Sequence, residues 1–258
     1  MSSRISVVAA SATDAGRVRA HNEDAVLVTD CVFVVADGMG GHAAGEVASS
    51  IAVDALRELD APAGGPGQVV DRVEAANQAI LDSVARHPEQ AGMATTLAGL
   101  AMVTVDGSPR WAAVNVGDSR VYQLVDGRLS QVSQDHSEVA ELERSGYLTA
   151  AEARVHPARN IVTRCLGRDP VDPVDSWVLL PQQGERFLLC TDGLTNELED
   201  DEIAHLLQDG DDPKVIADAL VGAAVEAGGR DNVTVVVVVT SDASPTDAGE
   251  DDEETTSR

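Results

Sequence analysis

Apolar residues along this chain follow two kinds of pattern, short β-branched runs and longer amphipathic segments. The runs ISVVAA (5–10), AVLV (25–28) and CVFVVA (31–36) have the length and composition of buried β-strands. Residues 43–59 and 68–86 instead repeat their apolar positions with helical spacing. The first third of the chain is therefore predicted to form three strands followed by two helices.

A second set of strands follows, with only short connections between them. Apolar runs lie at 96–105, 110–116, 120–125 and 128–133. Their connections contain Asp-Gly or Gly-Asp pairs, which favour tight hairpin turns because these residues accept positive φ angles. This region is predicted to be an antiparallel meander.

The remainder of the chain returns to a mixture of both patterns. A polar stretch over 137–154 is predicted to be helical, and the later elements are strands 175–180 and 186–191, helices 200–208 and 213–226, and strand 233–240. Meanders separated by helix pairs do not fit a parallel βαβ sheet. They predict an α+β fold in which helices cover antiparallel sheets.

Composition restricts the partners and the compartment. The 258 residues carry a formal net charge of −26, so nucleic-acid binding through phosphates is not expected. No apolar run approaches the roughly 18 residues of a membrane helix, and no signal peptide is evident, so no membrane partner is expected. Three cysteines without paired spacing argue against disulfides and zinc and favour the cytosol. Residues 241–258 hold seven acidic residues and are predicted to be a disordered tail.

The pair Asp-Gly occurs five times, and its contexts predict different roles. Asp106 and Asp126 lie between short strands and are predicted to form hairpin turns, whereas Asp209 ends a helix. Asp37 and Asp192 each follow a hydrophobic strand and precede a loop or a helix. Their carboxylates are therefore expected at the C-terminal ends of buried strands.

Two further aspartates are candidates for the same edge of the fold. Asp231 opens the last strand, and in an antiparallel sheet the start of one strand lies beside the end of its neighbour. Asp118, in NVGDSR, fits either this edge or a simple turn. Clustered carboxylates repel one another unless a cation neutralises them, and all-oxygen ligands suit Mg²⁺ or Mn²⁺. A two-metal centre that clamps a phosphoryl group is one chemistry such a cluster supports.

A phosphate also needs ligands from the protein. The segment TDAGRVRAHNEDA (13–25) supplies Arg17 and Arg19 on a loop just before a strand. An arginine can donate to two phosphate oxygens at once, although a solvated surface charge is the alternative for either residue.

The glycine-rich segment 38–43 suggests a different function, because its spacing fits G-x-G-x-x-A. A dinucleotide-binding fingerprint requires a parallel βαβ unit whose second strand ends in an acidic residue about 20 residues later. Here that region is helical, and a second helix precedes the next strand. We therefore reject a dinucleotide site.

Eight short motifs occur in an order that resembles one known family. They are TDAGRVRAHNEDA (13–25), VVADGMGGHAAGEVAS (34–49), ATTLAG (94–99), VNVGDSRVY (114–122), QDHS (134–137), HPARNIVTRCLG (156–167), LLCTDGL (188–194) and GGRDNVTVVVV (228–238). The set is similar to bacterial metal-dependent serine/threonine protein phosphatases of type 2C (PPM). It extends from about residue 6 to residue 240.

The resemblance implies a four-layer α-β-β-α sandwich, with residues 1–240 as the catalytic domain and a flap at about 137–166. It implies two Mn²⁺ or Mg²⁺ ions, with Asp37 bridging them and the Gly38 carbonyl, Asp192 and Asp231 completing the ligands. Glu23 and Asp24 would act through water. Further residues implied by motif position are Arg19 for the substrate phosphate, Asp118 with Asp192 for a third ion, and Asn160 as an additional ligand.

The implied reaction is hydrolysis of phosphoserine and phosphothreonine by a metal-bridging water, without a covalent intermediate. Eukaryotic members place a histidine, proposed as general acid, directly after the first Asp-Gly, where this chain has Met39. His42 is the candidate acid here, with a local structural role or a metal-bound water as alternatives.

The expected partners are phosphorylated proteins, including Hanks-type kinases that the enzyme would oppose, and the expected protein is a cytoplasmic monomer. The alternative is a catalytically inactive type 2C-like domain that acts as a regulatory binding module.

Overall fold

The computed structural model describes residues 5–40, 44–59 and 64–242. His42 and residues 243–258 of the predicted tail lie outside the described residues. The last strand extends to Asp242, two residues past the boundary predicted for the tail.

Two antiparallel sheets form the centre of the fold. The first has the strand order β1-β11-β10-β7-β8, and the second has the order β2-β3-β5-β6-β9 with β4 paired to β3. Strands of the first sheet are β1 (Ile5–Asp14), β7 (Arg120–Val125), β8 (Arg128–Gln131), β10 (Arg186–Cys190) and β11 (Val233–Asp242). Strands of the second sheet are β2 (Asp24–Val28), β3 (Val32–Met39), β4 (Ala94–Thr95), β5 (Leu97–Val105), β6 (Ser108–Val116) and β9 (Asp175–Leu179).

Helices cover the outer face of each sheet. The helices are α1 (Ala44–Arg57), α2 (Pro66–Arg86), α3 (Glu138–Arg144), α4 (Ala150–Val155), α5 (Asp192–Thr195), α6 (Asp200–Gln208) and α7 (Pro213–Ala227), with a 3₁₀ turn at Pro88–Gln90. The pair α1 and α2 packs on the second sheet, and α6 and α7 pack on the first. The predicted four-layer α-β-β-α sandwich is confirmed.

Side-chain alternation along β3 explains why three hydrophobic layers form. Phe33 and Val35 face the inter-sheet core, whereas Val34 and Ala36 face helices α1 and α2. Because strand side chains alternate between faces, a strand that is apolar at every position has both faces buried. The continuous apolar runs in the sequence are therefore the strands that separate two hydrophobic layers.

The helical prediction for 137–154 holds for two separate segments and not for the whole stretch. Two helices, α3 and α4, occupy this stretch, and Gly146 lies between them with φ +76°. Thr149 then caps α4, accepting from the Glu152 amide while the Glu152 carboxylate accepts from the Thr149 amide. Together these features end one helix and begin the next, since glycine accepts a positive φ and a capping box stabilises a helix start.

Candidate metal centre

The predicted aspartates lie at one end of the sandwich. Asp37 lies two residues before the end of β3, Asp192 follows β10 and Asp231 precedes β11, while Asp118 follows β6. The second sheet contains β3 and β6, and its packing on the first sheet brings Asp37 and Asp118 into one pocket with Asp192 and Asp231. Within the first sheet, β10 ends beside the start of its antiparallel neighbour β11. The sequence prediction of convergence rested on this geometry.

One pocket of about 230 Å³ gathers most of the predicted site residues. It is lined by Arg19, Glu23, Asp37, Gly38, Met39, Gly40, Asp118, Asn160, Val162, Asp192, Asp231 and Asn232. Asp24 is not on this lining. It lies beside Asp37 as its cross-strand partner in the β2–β3 ladder.

Arg19 lies at the rim of the pocket and contacts one of the acidic residues. Its guanidinium donates to Asp231 Oδ2 at 2.7 Å, and this hydrogen bond, followed by the charge of Asp231, raises the pKa of Arg19. The side chain is 54% exposed. Arg19 is thus held next to the carboxylates while its remaining donors stay accessible to an anion in the pocket.

Asp37 is positioned through its backbone by two buried threonines. Its amide donates to Thr96 Oγ1 at 3.0 Å, and its carbonyl accepts from the Thr96 amide at 2.9 Å and from Thr95 Oγ1 at 2.8 Å. Thr96 Oγ1 also lies 2.7 Å from Ser119 Oγ, which adjoins Asp118. Thr96 therefore connects the backbone of Asp37 to the Asp118 loop.

Two buried carboxylate oxygens have no hydrogen-bond partner within the described part of the chain. They are Oδ1 of Asp24 and Oδ1 of Asp192. Oδ2 of Asp24 accepts a hydrogen bond from Thr191 Oγ1 at 2.9 Å, and Oδ2 of Asp192 accepts one from Asn196 Nδ2 at 2.9 Å. A buried unpaired carboxylate oxygen is costly, and a bound cation would satisfy it.

The carboxylates of the cluster are less acidic than ordinary aspartates. Desolvation, with smaller contributions from neighbouring carboxylates, raises the pKa of Asp24 to about 7 and the pKa of Asp192 to about 6. Desolvation first, and then the adjacent negative charges, raise the pKa of Asp37 and of Asp118 well above the usual value. Burial and like charges both disfavour the ionised form, which a divalent cation would favour again.

The side-chain oxygens are not drawn together around a single point. Within residues 5–40, 44–59 and 64–242, no three acidic, histidine or cysteine side chains are arranged as a ready set of metal ligands. Mutual repulsion separates uncompensated carboxylates, and Asp231 turns towards Arg19. The donors that line the pocket are oxygen atoms, so their chemistry fits a hard divalent cation such as Mg²⁺ or Mn²⁺.

Two glycines allow the backbone to approach closely beside the cluster. A Cβ on Gly38 would lie 2.2 Å from the Gly45 carbonyl oxygen, and a Cβ on Gly193 would lie 1.9 Å from the Asn232 carbonyl oxygen. Each glycine follows a cluster aspartate, so the Asp-Gly pair serves close packing here and not a reverse turn. Gly38 therefore allows the start of α1, at Gly45, to pack closely against the strand that carries Asp37.

Both ends of the flap are attached to backbone next to the cluster. At its start, His136 donates its amide to the Gly117 carbonyl at 2.9 Å, and its Nδ1 accepts from the Gly117 amide at 3.1 Å. At its end, the Leu166 amide donates to the Thr95 carbonyl at 2.8 Å. The flap residue Asn160 reaches the pocket lining between these two attachments.

Several residues that organise the site were not singled out from the sequence. Asn232 accepts from the Glu23 amide at 2.9 Å and donates to the carbonyls of Ala15 and His21, which fixes the loop that carries Arg19. Thr191 and Thr96 have similar roles for Asp24 and Asp37. Thr191 and Asn232 adjoin predicted site aspartates in the sequence, which is a local signal of this role, whereas Thr96 has no such neighbour.

Comparisons with known proteins agree with this geometry. The profile of the family Protein phosphatase 2C matches residues 13–211. The serine/threonine protein phosphatase PstP of Mycobacterium tuberculosis is 40% identical over 234 residues, which cover 88% of this chain and 44% of PstP. The chain therefore spans less than half the length of that relative. The serine/threonine phosphatase Stp of Listeria monocytogenes is 37% identical over 238 residues, which cover 88% of this chain and 93% of Stp.

Solved structures show the same fold, in one of them with two bound manganese ions. The catalytic domain of PstP in complex with two manganese ions superposes with a TM-score of 0.83 at 37% identity, covering 93% of this chain and all of that chain. The phosphatase MsPP from Mycobacterium smegmatis, in complex with cacodylate, gives a TM-score of 0.81 at 36% identity, with coverage of 90% and 97%. Sequence motifs, fold and relatives converge, and the chain belongs to the protein phosphatase 2C (PPM) family of bacterial serine/threonine phosphatases.

Proposed function

We propose that this chain removes phosphate from phosphoserine and phosphothreonine residues of proteins at a centre that holds two Mn²⁺ or Mg²⁺ ions. One observation carries the proposal: a single pocket collects four aspartates from four different segments and places an arginine at their rim. Such a combination suits a phosphate monoester, because the cations and the arginine can both neutralise its oxygens.

Asp37, the Gly38 carbonyl, Asp192 and Asp231 are proposed to bind the two ions, with Asp37 between them. Glu23 lines the same pocket and Asp24 lies beside Asp37, and both would act through water. Asp118, which lines the same pocket as Asp192, is the proposed ligand of a third ion, and Asn160 is an additional candidate. When bound, the ions would supply an activated bridging water for in-line attack on phosphorus.

The protein's own contribution is orientation and charge. Arg19 would exchange its contact with Asp231 for two equatorial oxygens of the substrate phosphate, which positions phosphorus and stabilises developing negative charge. The polar network of Thr95, Thr96 and Asn232 holds the pocket in place before substrate binds. The group that protonates the departing serine or threonine oxygen stays a prediction at His42.

The partners and location remain predictions of the same proposal: phosphoproteins, including Hanks-type kinases, a monomer, and the cytosol. The three cysteines are buried and form no disulfide within the described residues. Among the described helices none is sufficiently long and apolar to span a membrane. A catalytically inactive binding module is disfavoured because the acidic residues implied by the family resemblance are present at the pocket.

Turnover of a phosphothreonine peptide with Mn²⁺, with Mg²⁺ and with EDTA tests the proposal. We expect phosphate release with either ion and none with EDTA. Absence of turnover with both ions would favour the binding-module alternative, and undiminished turnover in EDTA would reject the metal mechanism.

A further inference from the structure

Unpaired cations are rare in this acidic protein. The sequence has 18 lysine and arginine residues against 44 acidic residues. Within the described part of the chain, the side chains of Arg17, Arg128 and Arg159 make no hydrogen bond or ion pair, and every other lysine or arginine makes at least one. An arginine left unpaired among so many carboxylates is available to an external anion.

Arg159 is the unpaired arginine that lines a cavity next to the metal pocket. The cavity has a volume of about 130 Å³ and is lined by Arg19, Arg159, Asn160, Gly193, Asn196, Glu197, Arg230 and Asp231. We call it the flap-side cavity, because Arg159 and Asn160 belong to the flap. Arg19, Asn160 and Asp231 line both cavities, so the two are contiguous.

The wall opposite the flap is already fixed by an ion pair. Arg230 donates from Nε to Glu197 Oε1 at 3.0 Å and from Nη2 to Glu197 Oε2 at 2.8 Å. The Glu197 side chain is only 2% exposed, so the pair is anchored in the fold. With Arg19 held by Asp231, Arg159 is the lining arginine whose donors are all uncommitted.

The charge of the lining selects the chemistry of an occupant. Three arginines face two carboxylates, both of which are engaged by arginine. A further carboxylate or phosphate would complete the pairing, whereas a cation would meet uncompensated guanidinium groups. Because Arg159 is half-buried, solvent would screen its attraction to a bound anion less than at a fully exposed site.

We propose that the flap-side cavity is a subsite for a second anionic group of the substrate, either an acidic side chain or another phosphorylated residue close to the one being hydrolysed. This inference rests on the proposed phosphatase function. An extended peptide advances about 3.3–3.6 Å per residue, so a group in a contiguous cavity belongs to a position one or two residues away. Arg159 is the residue that recognises it.

The test uses matched phosphothreonine peptides that differ at one position, placed in turn one or two residues before or after the phosphothreonine. That position carries glutamine, glutamate or phosphoserine. We expect kcat/KM of the parent protein to be about fivefold higher for an anionic peptide at one of these positions, the effect of about one partly exposed charge pair.

The variant R159Q should reduce the ratio of anionic to glutamine peptide to about one, as expected when the charge pair is removed. The matched control is R128Q, which removes another unpaired arginine, at the start of β8 and outside both cavities, and should keep the parent ratio. A preference for both anionic peptides supports a subsite that accepts either an acidic side chain or a phosphate. A preference for phosphoserine alone supports a subsite that requires a phosphate.

Equal kcat/KM for all parent peptides, or a preference that persists in R159Q, overturns the subsite while leaving phosphatase function intact. If no peptide is hydrolysed with Mn²⁺, the proposed function itself is wrong. The two failures are therefore distinguishable.

Discussion

The two ends of the sandwich use the same dipeptide for opposite purposes. At one end, Asp106-Gly107 and Asp126-Gly127 form hairpin turns in which both residues have positive φ angles. At the other end, Asp37-Gly38 continues a strand and Asp192-Gly193 begins a short helix. The turn aspartates are exposed, and the other two line the pocket that also contains Asp118 and Asp231. The difference shows that strand direction, and not the dipeptide, decides whether an Asp-Gly pair is a turn or a candidate site.

The largest expected contrast is between Asp192→Asn and Asp126→Asn. Each substitution removes one carboxylate and keeps the shape of the side chain, and asparagine accepts the positive φ at 126. Asp192→Asn should lower kcat/KM by about a hundredfold or more, the order seen when a principal electrostatic group is lost. Asp126→Asn should stay within about twofold, as surface changes usually do. Steady-state kinetics with Mn²⁺ measure both variants. Equal losses of kcat/KM would show that the Asp-Gly pairs are assigned to the wrong roles.

A second contrast concerns two glycines of Asp-Gly pairs, Gly193 after Asp192 and Gly107 after Asp106. A methyl group on Gly193 would meet the Asn232 carbonyl, whereas one on Gly107 would meet open space. Gly107→Ala should cost about 1 kcal/mol of unfolding free energy through its positive φ, and Gly193→Ala about 1–3 kcal/mol through overpacking. Only Gly193→Ala should also reduce activity, because it displaces backbone beside Asp231. Urea denaturation and kinetics on the same samples separate the effects, and full activity in Gly193→Ala would contradict this explanation.

A third contrast compares two buried threonines. Thr96 Oγ1 accepts a hydrogen bond from the Asp37 amide. Thr240, at the opposite end of the sandwich, donates its hydroxyl to the Glu185 carbonyl at 2.9 Å. Replacement by valine should destabilise each by about 1–3 kcal/mol, the cost of an unsatisfied buried group. Thr96→Val should additionally weaken Mn²⁺ activation, whereas Thr240→Val should not, and Thr96→Ser should restore the parent response. Similar Mn²⁺ dependence in both valine variants would make Thr96 purely structural.

The smallest contrast is in the pH dependence of stability without divalent cations. Because the pKa of Asp24 is raised to about 7, its folded form keeps a proton that the unfolded form releases near pH 4. The stability that the folded protein gains from this retained proton is fully present below the unfolded pKa of Asp24 and is lost as the pH rises towards 7. The Tm measured in EDTA should therefore fall between pH 5 and pH 7. Asp24→Asn should flatten this fall, and Asp126→Asn should not. A rise of Tm across this range would contradict the assigned direction.

Strand patterns predicted the layers well because buried strands leave a local signature. The apolar run VTVVVVVT forms the first eight residues of β11, which separates two cores. The ends of β10 and β11 then placed Asp192 near Asp231, whereas the approach of Asp37 also depends on the packing of one sheet on the other. Local sequence was sufficient wherever a residue's role followed from its position in one strand.

Other features depended on contacts that are distant in sequence. Thr96 bonds Asp37 across 59 residues, and Asn232 bonds Glu23 across 209. Such pairs follow from sheet register and loop packing, which no local pattern specifies. The break of the flap helix was local, since Gly146 and the Thr149–Glu152 box mark it, but the polar composition obscured it. Sequence therefore identified the acidic residues of the pocket but not the polar residues that hold them.

Calorimetric titration of Mn²⁺ into the metal-free protein tests the central claim most directly. The account predicts binding of at least two ions per chain, unchanged in Asp126→Asn and weakened or reduced in number in Asp192→Asn. Equal binding by these two variants, or no binding to the parent protein, would contradict the assignment of the acidic end of the sandwich as a metal centre.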